Sequence, residues 1–574
     1  MSRIKTVFLL AIVSFFLASG FSFSQTLVFP GKEKKENKLW GNYFVSGSFG
    51  LSYLFKDIRG DQNLFLSQFN LKEGVNIPHL SIKAYRNPEK SGFFDVISLQ
   101  AQGFGAEPYG RAAFSLEKRN LFTISGGYTE RKYFADVASL ANPLFQASSE
   151  EELVGSFHTW NTKEKSFDLS ARLKAASWLD FNASWQKTRL EGDSTITLRL
   201  LNNEFPLNEP VNQTSNIVRL GTEVNIKNYL FYQASGVYQK FELDQTASSS
   251  PENLGIRGIP FESYAIYLTE QSRQTKVDIK TWALSQSLQI IPSSRWTIDA
   301  DFTKSWTDGQ TSGHESIEGR FIWPLYDLVS MATYNNNGQL KKDFDKANLT
   351  LTFQLLPQLG IRAGYNYYKY KIDNADDLNY SFTRIYYNKT ISNSLSSSPL
   401  IVMKLNKFFM DAEFNLSRNW TASAGYAHSV NKLHLGAIQG EEEEHENYTY
   451  NLNSFFGALG LKITKKLSLK TRVETGSYDK AFARLVPLTV KTISFQGDVK
   501  LENGLSGSLF YKYQQLKNTK FFYSSSFNGY GLSLSFQLKD KPVGAYFQLS
   551  RNDLSSSLEI VRFVSMFTEI KDVS

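Results

Sequence analysis

Ser177-Trp178-Leu179-Asp180-Phe181-Asn182-Ala183-Ser184-Trp185 opens on a tight polar turn and runs into a strand in which every second residue is apolar or aromatic. Leu179, Phe181, Ala183 and Trp185 fall on one face of that strand, and Asp180, Asn182 and Ser184 on the other. The cassette recurs at Ser293 to Phe302 and at Lys465 to Glu474. A strand with an oily and a wet side, repeated along a whole chain behind an export signal, points to a barrel closed in a membrane, oily outside and wet inside.

The export signal is at the start. Arg3 and Lys5 precede an apolar run from Val7 to Ala18, and Ser22 and Ser24 supply small residues at the cleavage position, so the mature chain is expected to begin at Gln25. Removing 24 of 574 residues leaves 550, and the formal charge falls from +8 to +6. That charge is mild for the length, and the basic residues alternate with apolar ones, so nucleic acid is not a partner. With no cysteine, lipoprotein anchors, disulfides and thiolate metal sites are excluded. After the signal no apolar run reaches the roughly 18 residues of a spanning helix. Aromatics make up 14% of the chain, with 29 tyrosines and 45 phenylalanines, which suits a barrel with aromatic girdles.

Short turns are expected at Asn87–Ser91, Arg119–Asn120, Ala176–Ser177, Lys227–Asn228, Pro292–Ser294, Pro357–Gln358, Ser417–Asn419, Lys465–Lys466, Asn503–Gly504 and Asp540–Lys541. Longer hydrophilic segments alternate with them: Ala138–Lys163, Glu191–Gln213, Asp244–Arg273, Asp308–Asp343 and Asn374–Ser398. Short periplasmic turns and long extracellular loops are the asymmetry of an outer-membrane barrel. Ten short turns give 22 strands with both ends in the periplasm; strand-like runs at Phe321–Trp323 and Leu400–Val402 widen the range to 20–26. The fold class is therefore all-β, a transmembrane antiparallel barrel. Its parts are a signal peptide (1–24), a periplasmic leader (25–39), the barrel (40–567) and a short tail (568–574), the last strand being Leu558–Phe567.

Alternation assigns faces. Phe167, Leu169, Ala171 and Leu173 are expected toward lipid, as are Leu467, Leu469, Val473, Ile493, Phe495 and Val499. The lumen-facing candidates are Asp168, Arg172, Lys174, Asp180, Asp299, Asp301, Lys470, Arg472, Glu474, Asp498 and Lys500. A lysine or arginine on the lipid face at mid-bilayer costs about 2–4 kcal/mol, enough to choose the face. A barrel near 22 strands encloses a wide lumen that water, a plug or a partner must fill.

No catalytic, cofactor or metal constellation is legible, and the chain is not read as an enzyme. There is no Gly-x-Ser-x-Gly and no phosphate loop, and without cysteine no covalent haem attachment. The run Glu441–Glu444 with His445, near His428 and His434, is expected to be a solvated loop tip; His158 and His314 are placed in other loops.

Gly110–Leu116, Phe122–Tyr128, Arg131–Phe134, Ala141–Leu144, His158–Thr162 and the cassettes Trp178–Gly192 and Leu359–Tyr370 resemble large barrels of the MtrB/PioB type. The resemblance implies a sheath through which a multihaem cytochrome threads, so that haem enters only with that partner. The chain departs from the better-known members in lacking a cysteine pair near its N-terminus, and seven residues follow Phe567. Two functions follow: the sheath for a periplasmic partner, or a porin-like channel for small hydrophilic solutes whose pore is narrowed by long loops.

Overall fold

The computed structural model describes residues 26–28, 38–58, 62–137, 158–200, 203–249, 266–322, 328–439, 442–480, 487–500, 504–520, 523–537 and 544–558. The expected signal peptide, residues 138–157 of one expected loop, the Asp540–Lys541 turn and most of the Leu558–Phe567 strand lie outside them.

The strands are β1 (Thr26–Val28), β2 (Lys38–Trp40), β3 (Tyr43–Leu54), β4 (Gly74–Arg86), β5 (Val96–Gln102), β6 (Phe104–Gly105), β7 (Tyr109–Lys118), β8 (Phe122–Val137) and β9 (His158–Ala176). There follow β10 (Leu179–Leu200), β11 (Asn203–Ile226), β12 (Leu230–Ser248), β13 (Tyr267–Ser293), β14 (Trp296–Ile322), β15 (Leu328–Leu356), β16 (Leu359–Arg384) and β17 (Lys389–Ser397). The last are β18 (Leu400–Asn415), β19 (Trp420–Gln439), β20 (Glu442–Thr464), β21 (Leu467–Tyr478), β22 (Thr489–Lys500), β23 (Leu505–Asn518), β24 (Tyr523–Gln537) and β25 (Gly544–Leu558). One short helix, α1 (Gln62–Phe69), lies between β3 and β4; Asn70, at φ 48°, ends it and donates its side-chain amide to Lys132 O at 2.7 Å.

All 25 segments belong to one sheet in which each recorded pairing is antiparallel between sequence neighbours or near neighbours. Three wall positions are built from two collinear segments, so the segments fill 22 positions among the described residues. β5 and β6 continue one register along β4, and β17 and β18 continue one register along β16 across Ser398–Pro399. β1 and β2 both run along β3, pairing Thr26 with Leu54 and Trp40 with Tyr43. Residues 26–28 and 38–39 of the expected leader thus pair along the wall, with β1 at the long-loop end of β3. Backbone pairing with an open edge, not side-chain pattern, places them there. Between β5 and β6, Gly103 (φ 70°) makes the break; a Cβ there would stand 2.1 Å from Tyr109 O.

Eight of the expected short turns, from Asn87–Ser91 through Lys465–Lys466, fall between paired strands at one rim. At the opposite rim the strands run on into segments expected to be loop. β13 and β14 run 27 residues each, β15 29 and β16 26. A tilted strand crosses a bilayer in about 9–11 residues, so these continue well beyond it. Asp308–Asp343 and Asn374–Ser398 are mostly strand, not loop. Thr311, Ser312 and Asn335–Asn337 are polar on both faces and carry no alternation, yet each backbone pair is made, as Thr311↔Gly338 and Ser312↔Asn337 show.

The lipid band is marked by exposed apolar residues near the short-turn rim. Leu169, Trp185, Val218, Tyr238, Trp282 and Trp306 stand opposite one another, strand to strand, in one row across β9–β14. Trp185, Trp282 and Trp306 are 39%, 47% and 42% exposed. Tyr238 and Trp282 lie 4.3 Å apart between ring centroids, Tyr365 and Phe408 4.7 Å, and Tyr426 and Phe455 4.8 Å. Such rings form the girdle of a membrane barrel. The chain is a transmembrane antiparallel β-barrel.

Candidate functional site

The face opposite that apolar band is the candidate pore lining. Counting in twos from the exposed Phe167, Leu169 and Leu173 places Asp168, Arg172 and Lys174 on it, with Asp180 opposite Lys174. Arg172 Nη2 donates to Asp180 Oδ2 at 2.5 Å and approaches Glu223 Oε2 at 3.9 Å. Asp299 accepts from Gln289 Nε2 at 2.7 Å, and Asp301 stands opposite Ser287 and Asn348. Lys470 lies opposite Gly460 and Gln496; Arg472 Nη2 donates to Glu474 Oε2 at 3.2 Å. Gln496 Nε2 donates to both oxygens of Asp498 at 3.1 Å, and Lys500 is opposite Ser506. These groups are spread around the wall, some of them in local pairs, and are not gathered into one cluster.

Hydroxyls fill much of the rest. Ser125 and Ser170 are 2.7 Å apart, Thr281 and Thr307 3.0 Å, and Ser508 and Ser533 2.7 Å, each across a strand pair on this face. Such groups satisfy one another and still offer a lone pair or proton to water.

The sequence reading missed a second set. Arg362 donates through Nε and Nη2 to Asp411 Oδ2 at 3.0 and 2.9 Å, and its guanidinium carbon stands 5.7 Å from the Phe409 ring centroid. Arg472, one of the expected candidates, likewise stands 4.0 Å from the ring centroid of Phe456, a contact the sequence reading missed. The doublets Phe408-Phe409 and Phe455-Phe456 put one ring on each face, and the inner rings cover Gly364 and Gly425. An apolar doublet breaks the alternation by which faces are read, although glycine directly opposite such a ring could have signalled it.

Above the band the same face becomes apolar. Ile317, Ala332 and Phe382 stand opposite one another, and Tyr334 opposite Tyr380. With Leu200, Phe205, Leu268, Phe321 and Val329 they form a buried core shared by the tops of β10, β11 and β13–β16.

His158, His314 and His445 fall on β9, β14 and β20, correcting their placement in loops. His314 Nδ1 is 2.7 Å from Asn335 Oδ1, and His428 Nδ1 is 2.8 Å from Asn453 Oδ1. Glu442–Glu444 belong to β20, and His434 and His445 stack across β19 and β20 with ring centroids 5.4 Å apart. Among the described residues no group of three or more His, Asp or Glu could hold a metal.

At the short-turn rim Asp95 is nearly buried. The Arg119 backbone N–H, 2.8 Å from Oδ2, and the Arg86 guanidinium, 2.5 Å from Oδ1, hold its carboxyl below the usual carboxylate range.

No family model and no curated protein matches the sequence. Among solved structures the chain is similar to the copper transporter OprC, at 10% identity over 82% of this chain and 79% of that one, with a TM-score of 0.36. It is similar to the ferric yersiniabactin uptake receptor FyuA from Yersinia pestis (9% identity, 93% and 98%, TM-score 0.34) and to the FrpB iron transporter from Neisseria meningitidis (10%, 78% and 79%, 0.33). At these identities and scores no ligand passes from those proteins to this chain. They stand where the conduit sheaths of MtrB/PioB type were anticipated, and that assignment is overturned. The turn-strand cassettes behind it recur at hairpins all round the wall, so they mark hairpins in general. With it goes the ground for a multihaem cytochrome in the lumen.

Proposed function

We propose that the chain forms a water-filled channel for small hydrophilic solutes across an outer membrane. The observation that carries this reading is the inner face. From β8 to β24 it is lined by hydroxyls, amides and ion pairs of both signs, from Ser125 and Ser170 through Arg362 and Asp411 to Ser508 and Ser533. Such a surface has its polar needs half met by its own neighbours and half by water, so it favours a hydrated bore over a dry interface. In this reading the apolar core of the strand tops around Phe205, Phe321 and Val329 contributes to narrowing the bore.

Purified protein inserted into a planar lipid bilayer tests this. Stepwise ohmic conductance is expected, and Phe205→Gly with Phe321→Gly is expected to enlarge the step. A folded, inserted protein that stays silent in both forms would overturn the channel.

A further inference from the structure

On the outer face Lys369, Lys404 and Lys432 stand directly opposite one another on β16, β18 and β19. The face follows from the exposed Phe408 and Met410, an even count from Lys404 on the same strand. The row lies above the Tyr365–Phe408 and Tyr426–Phe455 rings, about ten residues from the short-turn rim, where a tilted strand leaves the hydrocarbon.

Directly opposed side chains have Cβ atoms about 4.5–5.5 Å apart, and like charges so placed repel. Elsewhere on this outer belt carboxylates interleave. Glu130 holds Lys132 and Lys163 at 3.3 and 3.0 Å; Lys240 and Lys280 approach Asp278 at 3.6 and 3.8 Å. Near the lysine row, Asp345 lies opposite Lys369 but pairs with Lys304 at 3.4 Å, and Asp373 pairs with Lys371 at 3.1 Å. Lys404 and Lys432 are exposed and have no carboxylate opposite them: their neighbours in the row are each other, Lys369 and Thr449.

We infer that this row binds the phosphate groups of a phosphorylated glycolipid in the outer leaflet. Three ammonium groups on a stem of aliphatic carbons, at the boundary of lipid and water, match an anion that is anchored there and carries its own acyl chains. The anion removes the repulsion that the bare fold carries. The inference is independent of the channel.

The test uses the full chain purified in detergent free of lipid. Binding is measured for a bis-phosphorylated disaccharide lipid, for the same lipid dephosphorylated, and for inorganic phosphate. The phosphorylated lipid is expected to bind at least about tenfold tighter than either control, with about fivefold lost for each of Lys369→Gln, Lys404→Gln and Lys432→Gln, the scale of one basic residue at an anionic surface. Unfolding supplies a second readout. Lys404→Gln is expected to be more stable than the native chain without lipid and less stable with it. Arg551→Gln, which breaks an outer-face pair with Asp553 on β25, is expected to leave binding unchanged. Lys404→Arg, which keeps the charge, guards against a folding defect and is expected to bind as the native chain does. Equal affinity for the two lipids, equal affinity for inorganic phosphate, unaltered binding by the three glutamine variants, or a comparable loss in Arg551→Gln or Lys404→Arg would each overturn the inference.

Discussion

Arg472 stacks on Phe456, its guanidinium carbon 4.0 Å from the ring centroid, and the ring in turn covers Gly425 on the next strand. A Cβ at Gly425 would meet Phe456 Cε1 at 2.4 Å and Asp411 Cβ at 2.6 Å. Gly425→Ala is expected to cost about 1–3 kcal/mol through overpacking. Adding Phe456→Leu is expected to recover part of it, because the ring is one of the two groups that the Cβ would meet. Urea unfolding of the two single variants and the double variant measures the coupling. Simple additivity would show that the ring does not sit over the glycine.

Neighbouring residues on β9 should respond oppositely to the same charge. Leu169, exposed on the apolar face, is expected to lose about 2–4 kcal/mol of folding stability in lipid when changed to Arg. Ser170→Arg, one residue on and facing the bore, is expected to lose far less. Folding titrations in vesicles check the difference.

This contrast was legible from residue order alone, because Phe167 to Lys174 alternates without a break and the short turn Ala176–Ser177 follows it. Other parts were not. β17 and β18 are one strand in space, but Ser392–Pro399 is polar on both faces apart from Leu395, and its proline reads as a stop. Thr26–Val28 and Lys38–Trp40 are too short to show an alternating face, so only their pairing with β3 reveals them as wall. The Phe409 and Phe456 rings lie inside against the rule that oily residues face lipid, because each fills the space over a glycine.

Arg362 and Asp411 should set part of the ion preference of the bore. Asp411→Asn leaves the guanidinium uncompensated, and Arg362→Gln leaves the carboxylate so. The first is expected to shift selectivity toward anions and the second toward cations, each read as a change in reversal potential across a salt gradient. Shifts of the same sign would contradict their placement on the pore wall.

Asp95 supplies a pH dependence at the short-turn rim. Its carboxyl is held below the unfolded value, so its stabilising effect is present above about pH 4 and is lost as pH falls through the lower folded value. Asp95→Asn is therefore expected to destabilise the native chain at pH 7, with the difference shrinking in acid. Unfolding midpoints of the two proteins across that range give the comparison; a gap that widens in acid has the wrong sign.

The chain contains no cysteine, so a single introduced thiol reports on its own position. Cysteines placed one at a time from Phe167 to Leu173 in membrane-inserted protein, and treated with a charged water-soluble thiol reagent, test the wet bore most directly. Positions 168, 170 and 172 are expected to react, and 167, 169, 171 and 173 to stay protected while remaining open to a lipid-soluble reagent. Uniform reaction along the segment, or protection at all seven positions, would contradict a wall with lipid on one side and water on the other.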